Sequence, residues 1–255
     1  MVQKVNPPSL QEQLLYPDSD GKPLADNTIQ LRLIFTIKGG LDALFKDRDD
    51  VFIAADLLWY PVPLTPEEIG AQKQPQRQAP DVMVIFGRPK GDRGSYMQWK
   101  EENISPQVVF EILSPGNRKK EMDNKFAFYQ KYGVEEYYLY NPQKNQLQGW
   151  LKQGEELIEI SQMEGWQSSH LGITFSTSEG DLALFHPSGE QFVDYVEMFE
   201  ERDRALAERE RERLEKEREK ERANRAEAAI EEERQKNQQL REQLRQLGID
   251  PDSFS

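Results

Sequence analysis

The chain contains no cysteine and only two histidines among its 255 residues. The lack of cysteine excludes disulfides, thiolate zinc sites and cysteine nucleophiles, so an enzyme of this sequence has to use oxygen and nitrogen ligands. Long apolar runs are missing as well. None approaches the roughly 20 residues that span a bilayer, and no charged-then-apolar leader opens the chain. We therefore expect a soluble, cytoplasmic protein with no membrane partner.

An excess of basic charge is also absent. The formal net charge is −13, and residues 200–247 hold almost equal numbers of acidic and basic side chains, so the excess negative charge lies in the rest of the chain. A protein that coats nucleic acid through its overall field would carry the opposite charge. Any contact with DNA must therefore be local, screened by a bound metal ion, or weak.

Composition divides the chain into four predicted segments. Residues 1–25 are rich in Pro, Gln, Ser and Asp and read as an irregular arm. Residues 26–189 carry the apolar and aromatic residues of a globular domain, residues 190–247 form a long charged helix, and residues 248–255 form a tail. The fold is therefore expected to be one domain with a helical extension.

The elements predicted for residues 26–189 run helix, strands, helix, strands, which indicates an α/β or α+β core around a mixed sheet. A polar loop rich in Gln and Pro is expected over residues 61–79. The predicted elements are a helix from Asp26 to about Phe45, weakened or interrupted at Gly39 and Gly40; strands at Val51–Tyr60, Val82–Phe86 and Gln107–Leu113; a helix at Arg118–Tyr132; and strands at Glu136–Tyr140 and Gln146–Leu151.

The C-terminal segment has no glycine or proline between Gly189 and Gly248, and its middle alternates Glu with Arg or Lys. Pairs such as Glu221 and Arg225, four residues apart, support a helix by roughly 0.2–0.5 kcal/mol each. Two heptads with an asparagine at an a position come at the end, formed by Asn237, Leu240, Leu244 and Leu247. Two interpretations stay open: a single solvated helix, or a coiled coil that makes the chain a homodimer.

Three charged residues accompany the apolar strands. Glu111 lies inside the run Val108–Leu113, where an unpartnered carboxylate would cost several kcal/mol. Asp81 opens the strand Val82–Phe86, and Lys125 lies in the helix after Glu111. Each has an ordinary structural explanation when taken singly. Together, two carboxylates and an ammonium are what a divalent cation and a phosphodiester require, and a strand-end carbonyl such as that of Ile112 could add a third oxygen ligand.

The frames that contain these residues, APDVMVIFG, VVFEILSPGNR and EMDNKFAFYQKYGVEEYYLYNP, resemble the Uma-type restriction endonucleases, a bacterial branch of the PD-(D/E)XK nuclease superfamily. The resemblance covers roughly residues 20–185. It implies a restriction-endonuclease-like core, with a mixed central β-sheet flanked by helices, and a DNA substrate. It also implies that Asp81 and Glu111 are catalytic ligands of a Mg²⁺ or Mn²⁺ cofactor.

The chain departs from the superfamily pattern at Leu113, where the E-x-K element would place a lysine. In the Uma-type branch that this chain resembles, the lysine lies instead in the helix after the strand. Its frame there is an acid, three residues, Lys, three residues and Tyr, which Glu121, Lys125 and Tyr129 match. The resemblance therefore implies that Lys125 is the catalytic lysine. Glu121 lies one helical turn before Lys125 and could orient it, whereas Asp123 is nearer in sequence but would point elsewhere.

Further charged residues near the expected site have two readings each. Asp56 is either an additional site acid or an outward polar position of a strand. Two basic clusters could grip phosphates that flank the scissile one, or form solvated surface. The clusters are Arg118, Lys119 and Lys120 after one strand, and Arg88, Lys90 and Arg93 after the other.

The leading functional hypothesis is a metal-dependent endonuclease that hydrolyses DNA phosphodiester bonds. The alternative is an interaction protein in which a nuclease-like core is catalytically inactive and the C-terminal helix drives assembly. The acidic core and the helical extension favour the alternative, whereas the combination of Asp81, Glu111 and Lys125 favours the enzyme.

Overall fold

The computed structural model describes residues 14–246, apart from the side chains of residues 195, 196, 201 and 246. The first thirteen residues of the predicted arm, the heptad residue Leu247 and the tail at residues 248–255 lie outside the described residues. The chain divides between Tyr195 and Val196 into two compact units.

The first unit contains three helices and ten strands among its described residues. A short 3-10 turn at Gln98–Lys100 follows the fourth strand. In chain order the elements are α1 (Thr28–Leu44), β1 (Val51–Ala54), β2 (Trp59–Tyr60), α2 (Pro66–Gly70), β3 (Val82–Phe86), β4 (Tyr96–Met97), β5 (Val108–Ile112), α3 (Lys119–Lys131), β6 (Glu136–Asn141), β7 (Gln146–Gln153), β8 (Glu156–Glu159), β9 (Thr174–Ser176) and β10 (Ala183–Phe185).

A six-stranded sheet in the order β1-β3-β5-β6-β7-β8 forms the centre of this unit. All its neighbours are antiparallel except β5 and β6, which run parallel and are connected by α3. A parallel pair needs a crossover connection, and a helix on one face of the sheet is the usual one. Two small sheets pair β9 with β10 and β2 with β4. The predicted mixed α/β fold is confirmed.

Both faces of the sheet are covered. On one face, the helix α1 packs Leu33, Ile34 and Ile37 against alternate residues of the central strands, such as Val108 and Phe110. On the other face, α3 packs Phe128 and Tyr129 against the intervening residues, such as Met83, Ile85 and Val109. Because successive side chains of a strand point to opposite faces, Glu111 shares the face of Val109 and points toward α3.

The predicted strand Val51–Tyr60 is wrong as a single element. β1 ends at Ala54, and the chain then turns at Asp56, which has a φ of 49°. β2 resumes at Trp59 and pairs with β4 outside the central sheet. A non-glycine residue with positive φ breaks the extended conformation, and aspartate tolerates it better than most residues.

Two glycines in α1 do not interrupt the helix, which is continuous from Thr28 to Leu44. Gly40 lies so close to Phe192 that a methyl group there would overlap the phenylalanine ring. The polar loop at residues 61–79 also contains more order than expected. It holds the short helix α2, which begins with Pro66 and is capped by reciprocal hydrogen bonds between Thr65 and Glu68.

The predicted long charged helix is confirmed as α4 (Tyr195–Gln246), which has 52 residues. Its described side chains are almost all exposed, and the ion pairs along it include Glu221 with Arg225 at 3.8 Å and Glu232 with Lys236 at 2.6 Å. None of the described helices is both long and apolar enough to cross a bilayer.

Candidate active site

Asp81 and Glu111 meet because β3 and β5 are antiparallel neighbours. Val82 pairs with Phe110, and continuing that register by one residue places Asp81 opposite Glu111. The backbone N–H of Ile112 donates a hydrogen bond of 2.6 Å to Asp81 Oδ2. The two acids, 30 residues apart in sequence, therefore lie at the same edge of the central sheet.

Glu111 is only 3% exposed and has a partner for each carboxylate oxygen. Lys125 Nζ lies 2.7 Å from Oε2, and the hydroxyl of Tyr129 donates to Oε1. Both partners come from α3, one helical turn apart, so the crossover helix returns them over the end of β5. This arrangement compensates the buried carboxylate that the sequence places inside an apolar strand.

The ion pair with Glu111 keeps Lys125 charged. Burial disfavours an ammonium, but the negative charges of Glu111 and Asp81 outweigh that effect and raise the pKa of Lys125 above its ordinary value. The Tyr129 hydroxyl is affected in the opposite sense. Its burial, followed by the negative charge of Glu111, raises its pKa well above 10.0, so it remains a hydrogen-bond donor.

Asp81 is 8% exposed, and burial is the main reason that its pKa rises from 3.8 to about 8. The neighbouring charge of Glu111 raises the pKa further, whereas the ammonium of Lys125 and the hydrogen bonds from Ile112 and Gln30 lower it. A cation that binds this carboxylate near neutral pH therefore has to displace its proton. Perturbed acids of this kind concentrate at functional sites.

A cavity of about 380 Å³ opens beside these residues. Asp81 and Lys125 contribute to its wall, and Glu111 is connected to it through its ion pair with Lys125. The other charged residues around it are Asp20, Lys22, Asp26, Asp56 and Glu121. Among the charged residues of the cavity wall, five acids therefore outnumber two lysines.

The donor set fits a small hard cation. Asp81 and Glu111 are the residues that could supply carboxylate oxygens to such a cation, and the carbonyl of Ile112 lies beside Asp81, since Gln30 Nε2 donates to both. Across residues 14–246 there is no group of three or more His, Asp or Glu side chains that could hold a metal ion. Mg²⁺ nevertheless needs only one or two carboxylates, because it retains several waters and binds substrate phosphates.

The remaining acids predicted near the site differ in their positions. Glu121 lines the cavity and its charge helps to raise the pKa of Lys125, whereas Asp123 is exposed on α3. Asp56 also lines the cavity, from the turn after β1 rather than from a strand. Its pKa rises to about 6, chiefly through desolvation and then through the charge of Asp20.

The structure supports neither of the two readings, phosphate contact or solvated surface, for the basic cluster of Arg88, Lys90 and Arg93. Arg88 and Arg93 each lie 2.8 Å from the buried carboxylate of Glu101, and Arg93 also stacks on Phe52. Lys90 donates to backbone carbonyls at the end of α1. Asp81 directly precedes β3, whereas these basic residues follow the end of β3. The cluster therefore lies at the sheet edge opposite Asp81, where it stabilises the fold.

The other basic cluster lies near the site. Arg118, Lys119 and Lys120 are exposed at the start of α3, directly after Gly116 and Asn117, which line the cavity. Sequence reasoning missed Gln30, whose side chain contacts both Asp81 and Ile112. The signal was a polar residue in register with Leu33, Ile34 and Ile37 on the apolar stripe of α1.

Comparison with known proteins shows the family to which the chain belongs. Residues 19–179 match the model of the Uma2 family, described as "Putative restriction endonuclease". The chain belongs to this family. Membership of this family supports a nuclease function, that is, hydrolysis of phosphodiester bonds. Nucleases with a restriction-endonuclease-like fold generally use divalent metals.

Among solved structures, the chain is similar to a crystal structure from Anabaena variabilis described as "a putative nuclease belonging to DUF820". The two are 14% identical, the match covers 68% of this chain and 97% of the other, and the TM-score is 0.47. None of the curated proteins matches the sequence significantly.

Proposed function

We propose that this Uma2 member is a Mg²⁺- or Mn²⁺-dependent endonuclease that hydrolyses phosphodiester bonds of DNA. The observation that carries the proposal is the meeting of Asp81, Glu111 and Lys125 at one sheet edge, beside a cavity. Two carboxylates that can hold a cation and a charged lysine beside them are groups that support metal-assisted hydrolysis of a phosphodiester.

In this proposal Asp81 and Glu111 hold the cation, and the Ile112 carbonyl is a third oxygen ligand. When bound, the ion supplies Lewis-acid polarisation of a phosphate oxygen and a lower pKa for a coordinated water. Lys125 reaches the cavity wall with its charge retained. It can therefore neutralise charge that develops on the phosphate, or orient the attacking water.

The surrounding residues have supporting roles. Tyr129 and Lys125 hold the two oxygens of Glu111, so that this carboxylate has one orientation before a ligand arrives. Arg118, Lys119 and Lys120 are exposed beside the cavity and are proposed to grip phosphates flanking the scissile one. Such contacts position DNA without reading its sequence.

The proposal assigns the activity to residues 26–189. The helix α4 is proposed to dimerise the protein through the heptads at its end, the last residue of which, Leu247, lies outside the described residues. A cytoplasmic location, where a DNA substrate is accessible, is part of the same proposal. The arm at residues 1–25 and the tail at residues 248–255 have no assigned chemical role, although the arm contributes Asp20 and Lys22 to the cavity wall.

Cleavage of supercoiled plasmid with Mg²⁺ or Mn²⁺ tests the proposal. The wild-type protein is compared with Asp81→Asn and Glu111→Gln, each of which replaces a carboxyl group by an amide of nearly the same volume. Asp123→Asn is the matched control, because it makes the same chemical change at an exposed position of α3. Circular dichroism and thermal melts establish that every variant is folded.

We expect nicking by the wild type and by Asp123→Asn that stops when the metal is chelated. Asp81→Asn and Glu111→Gln should lose at least about 100-fold in rate, since each removes a ligand of the cation. Cleavage that persists in both variants would contradict the assignment. Absence of cleavage together with absence of any metal-induced rise in melting temperature would favour the inactive interaction protein.

A further inference from the structure

Gln30 is a polar side chain on the buried face of α1, and it is 7% exposed. It lies in the first helical turn, where its backbone N–H donates to the side chain of the N-cap residue Asn27. α1 covers the face of the sheet opposite α3. Gln30 therefore approaches the acids of the site from the side that Lys125 and Tyr129 do not occupy.

The orientation of the Gln30 amide is determined by its neighbours. Its Oε1 accepts a hydrogen bond of 2.9 Å from the backbone N–H of Asp26, and a backbone N–H can only donate. The amide nitrogen must therefore point the other way. There it donates to the carbonyl of Ile112 at 3.1 Å and lies 3.4 and 3.5 Å from the two carboxylate oxygens of Asp81.

We propose that Gln30 is a positioning residue of the cation site, and this inference rests on the proposed function. One NH₂ group contacts two of the three proposed oxygen ligands, the Asp81 carboxylate and the Ile112 carbonyl. It sets their separation and orientation before the ion binds. A ligand set that is held in advance loses less conformational freedom on binding, and outer partners of this kind commonly change metal affinity by roughly 10–100-fold when they are removed.

Gln30 also connects the site to the segment that precedes α1. Asp26, whose N–H holds the Gln30 amide, accepts a hydrogen bond of 2.5 Å from the hydroxyl of Ser114, just after β5. Residues 20–26 of this segment line the cavity in part. The amide thus links the start of α1, the end of β5 and the start of β3 at one point.

The competing explanation is that Gln30 only satisfies buried polar groups. Gln107 provides a matched control, because its Oε1 accepts a 2.8 Å hydrogen bond from the backbone N–H of Phe86. Asp81 directly precedes β3 and Phe86 is the last residue of β3, so Gln107 lies at the sheet edge opposite Asp81. Replacing either glutamine by methionine keeps the side-chain length and removes its hydrogen bonds.

The experiment is titration calorimetry of the full-length protein with Mn²⁺, for the wild type, Gln30→Met and Gln107→Met, with thermal melts of each. We expect the Kd for Mn²⁺ to rise roughly tenfold or more in Gln30→Met and to stay at the wild-type value in Gln107→Met, although both variants melt at lower temperature. Equal Mn²⁺ affinity in all three proteins would show that Gln30 is only structural and would overturn the inference.

A second variant covers the case in which Gln30→Met does not fold. Gln30→Glu keeps the acceptor for the Asp26 N–H, but it places a carboxylate against Asp81 and the Ile112 carbonyl. Mn²⁺ should relieve this repulsion, so the metal-induced rise in melting temperature should exceed that of the wild type. An unchanged rise would overturn the inference.

These measurements separate the inference from the proposed function. If the wild-type protein binds Mn²⁺ and both Gln30 variants behave like it, only the proposed role of Gln30 is contradicted. Wild-type protein that binds neither Mn²⁺ nor Mg²⁺ contradicts the cation site itself, and the inference with it.

Discussion

Glu111 shows how a single buried charge can be tolerated inside a β-strand. Its two oxygens are held by Lys125 and Tyr129 from the crossover helix, so the carboxylate is paired with a cation and each oxygen accepts a hydrogen bond. Such an arrangement can roughly break even against an apolar core, whereas loss of one partner leaves an uncompensated charge. The residues proposed to act on the substrate are therefore also part of the core.

Lys125→Met should consequently affect two properties. Cleavage should fall by at least about 100-fold if Lys125 acts on the phosphate, and the free energy of unfolding should drop by about 3 kcal/mol, because Glu111 is left buried without its cation. Glu111→Gln added to Lys125→Met should recover most of the stability and none of the activity. Urea denaturation and plasmid cleavage measure the two effects. Wild-type cleavage by Lys125→Met would refute the lysine assignment.

The raised pKa of Asp81 predicts a pH dependence of stability without metal. The folded-state pKa of about 8 lies above the ordinary 3.8, so folding favours the protonated acid. The contribution to the free energy of unfolding is fully present below about pH 4 and is lost as pH rises through about 8. Thermal melts of metal-free protein between pH 5 and 9 should show this decline, and Asp81→Asn should lessen it.

Binding of Mg²⁺ at Asp81 should raise the stability of the protein, and this gain should increase with pH. Because a cation binds the ionised carboxylate, Mg²⁺ should raise the melting temperature more at pH 8.5 than at pH 6. A metal-induced rise that is equal at the two pH values, or that persists undiminished in Asp81→Asn, would place the cation elsewhere.

At the scale of elements, α1 depends on a close approach between helix and loop. Gly40 faces Phe192, whereas Gly39, one residue before it, is exposed with no atom within 4 Å of where a Cβ would lie. Substitution by alanine at these two adjacent helix positions should therefore have opposite effects on the free energy of unfolding.

Gly40→Ala should destabilise the protein by about 1–3 kcal/mol through overpacking against Phe192. Gly39→Ala should instead stabilise it by up to about 1 kcal/mol, since alanine has the higher helix propensity and nothing obstructs its methyl group. Chemical denaturation of both variants measures the difference. Equal effects of the two substitutions on stability would mean that the Phe192 side chain moves away from the added methyl group without destabilising the protein.

At the scale of the whole molecule, the heptads at the end of α4 predict that the helix pairs with a second copy. Leu240 is 58% exposed, and with Asn237 and Leu244 it follows the heptad pattern in which an asparagine at a specifies register. Ion pairs along the helix surface support α4 as an isolated helix too, so the helix by itself does not distinguish the two states.

Sedimentation equilibrium of the full chain distinguishes them. We expect a concentration-dependent dimer for the wild type, and a monomer for the double variant Leu240→Lys/Leu244→Lys, because two lysines at a and d positions would face each other across the seam. Gln238→Lys/Gln239→Lys adds the same charge outside the seam and should remain dimeric. A wild type that is monomeric at high concentration would establish α4 as a single solvated helix.

The sequence by itself determined the features that depend on local pattern. The apolar runs of β3 and β5 and the amphipathic spacing of α1 and α3 act over a few residues, so the predicted bounds of these four elements agree closely with the structure. The charge alternation of α4 predicts the helix itself, which begins at Tyr195 rather than at residue 190. Asp81, Glu111 and Lys125 were singled out because each charge accompanies an apolar segment, and the family frames linked the three.

Only the tertiary structure decided which of these residues meet, because side-chain contacts depend on strand direction and register. The antiparallel pairing of β3 and β5 brings Asp81 to Glu111 and sends Arg88 and Arg93 to the opposite edge, where they hold Glu101 instead of phosphate. Gln30 reaches Asp81 across 51 residues, and no local pattern encodes that distance. Burial by α1 and α3 on the two faces then sets the electrostatics of the site.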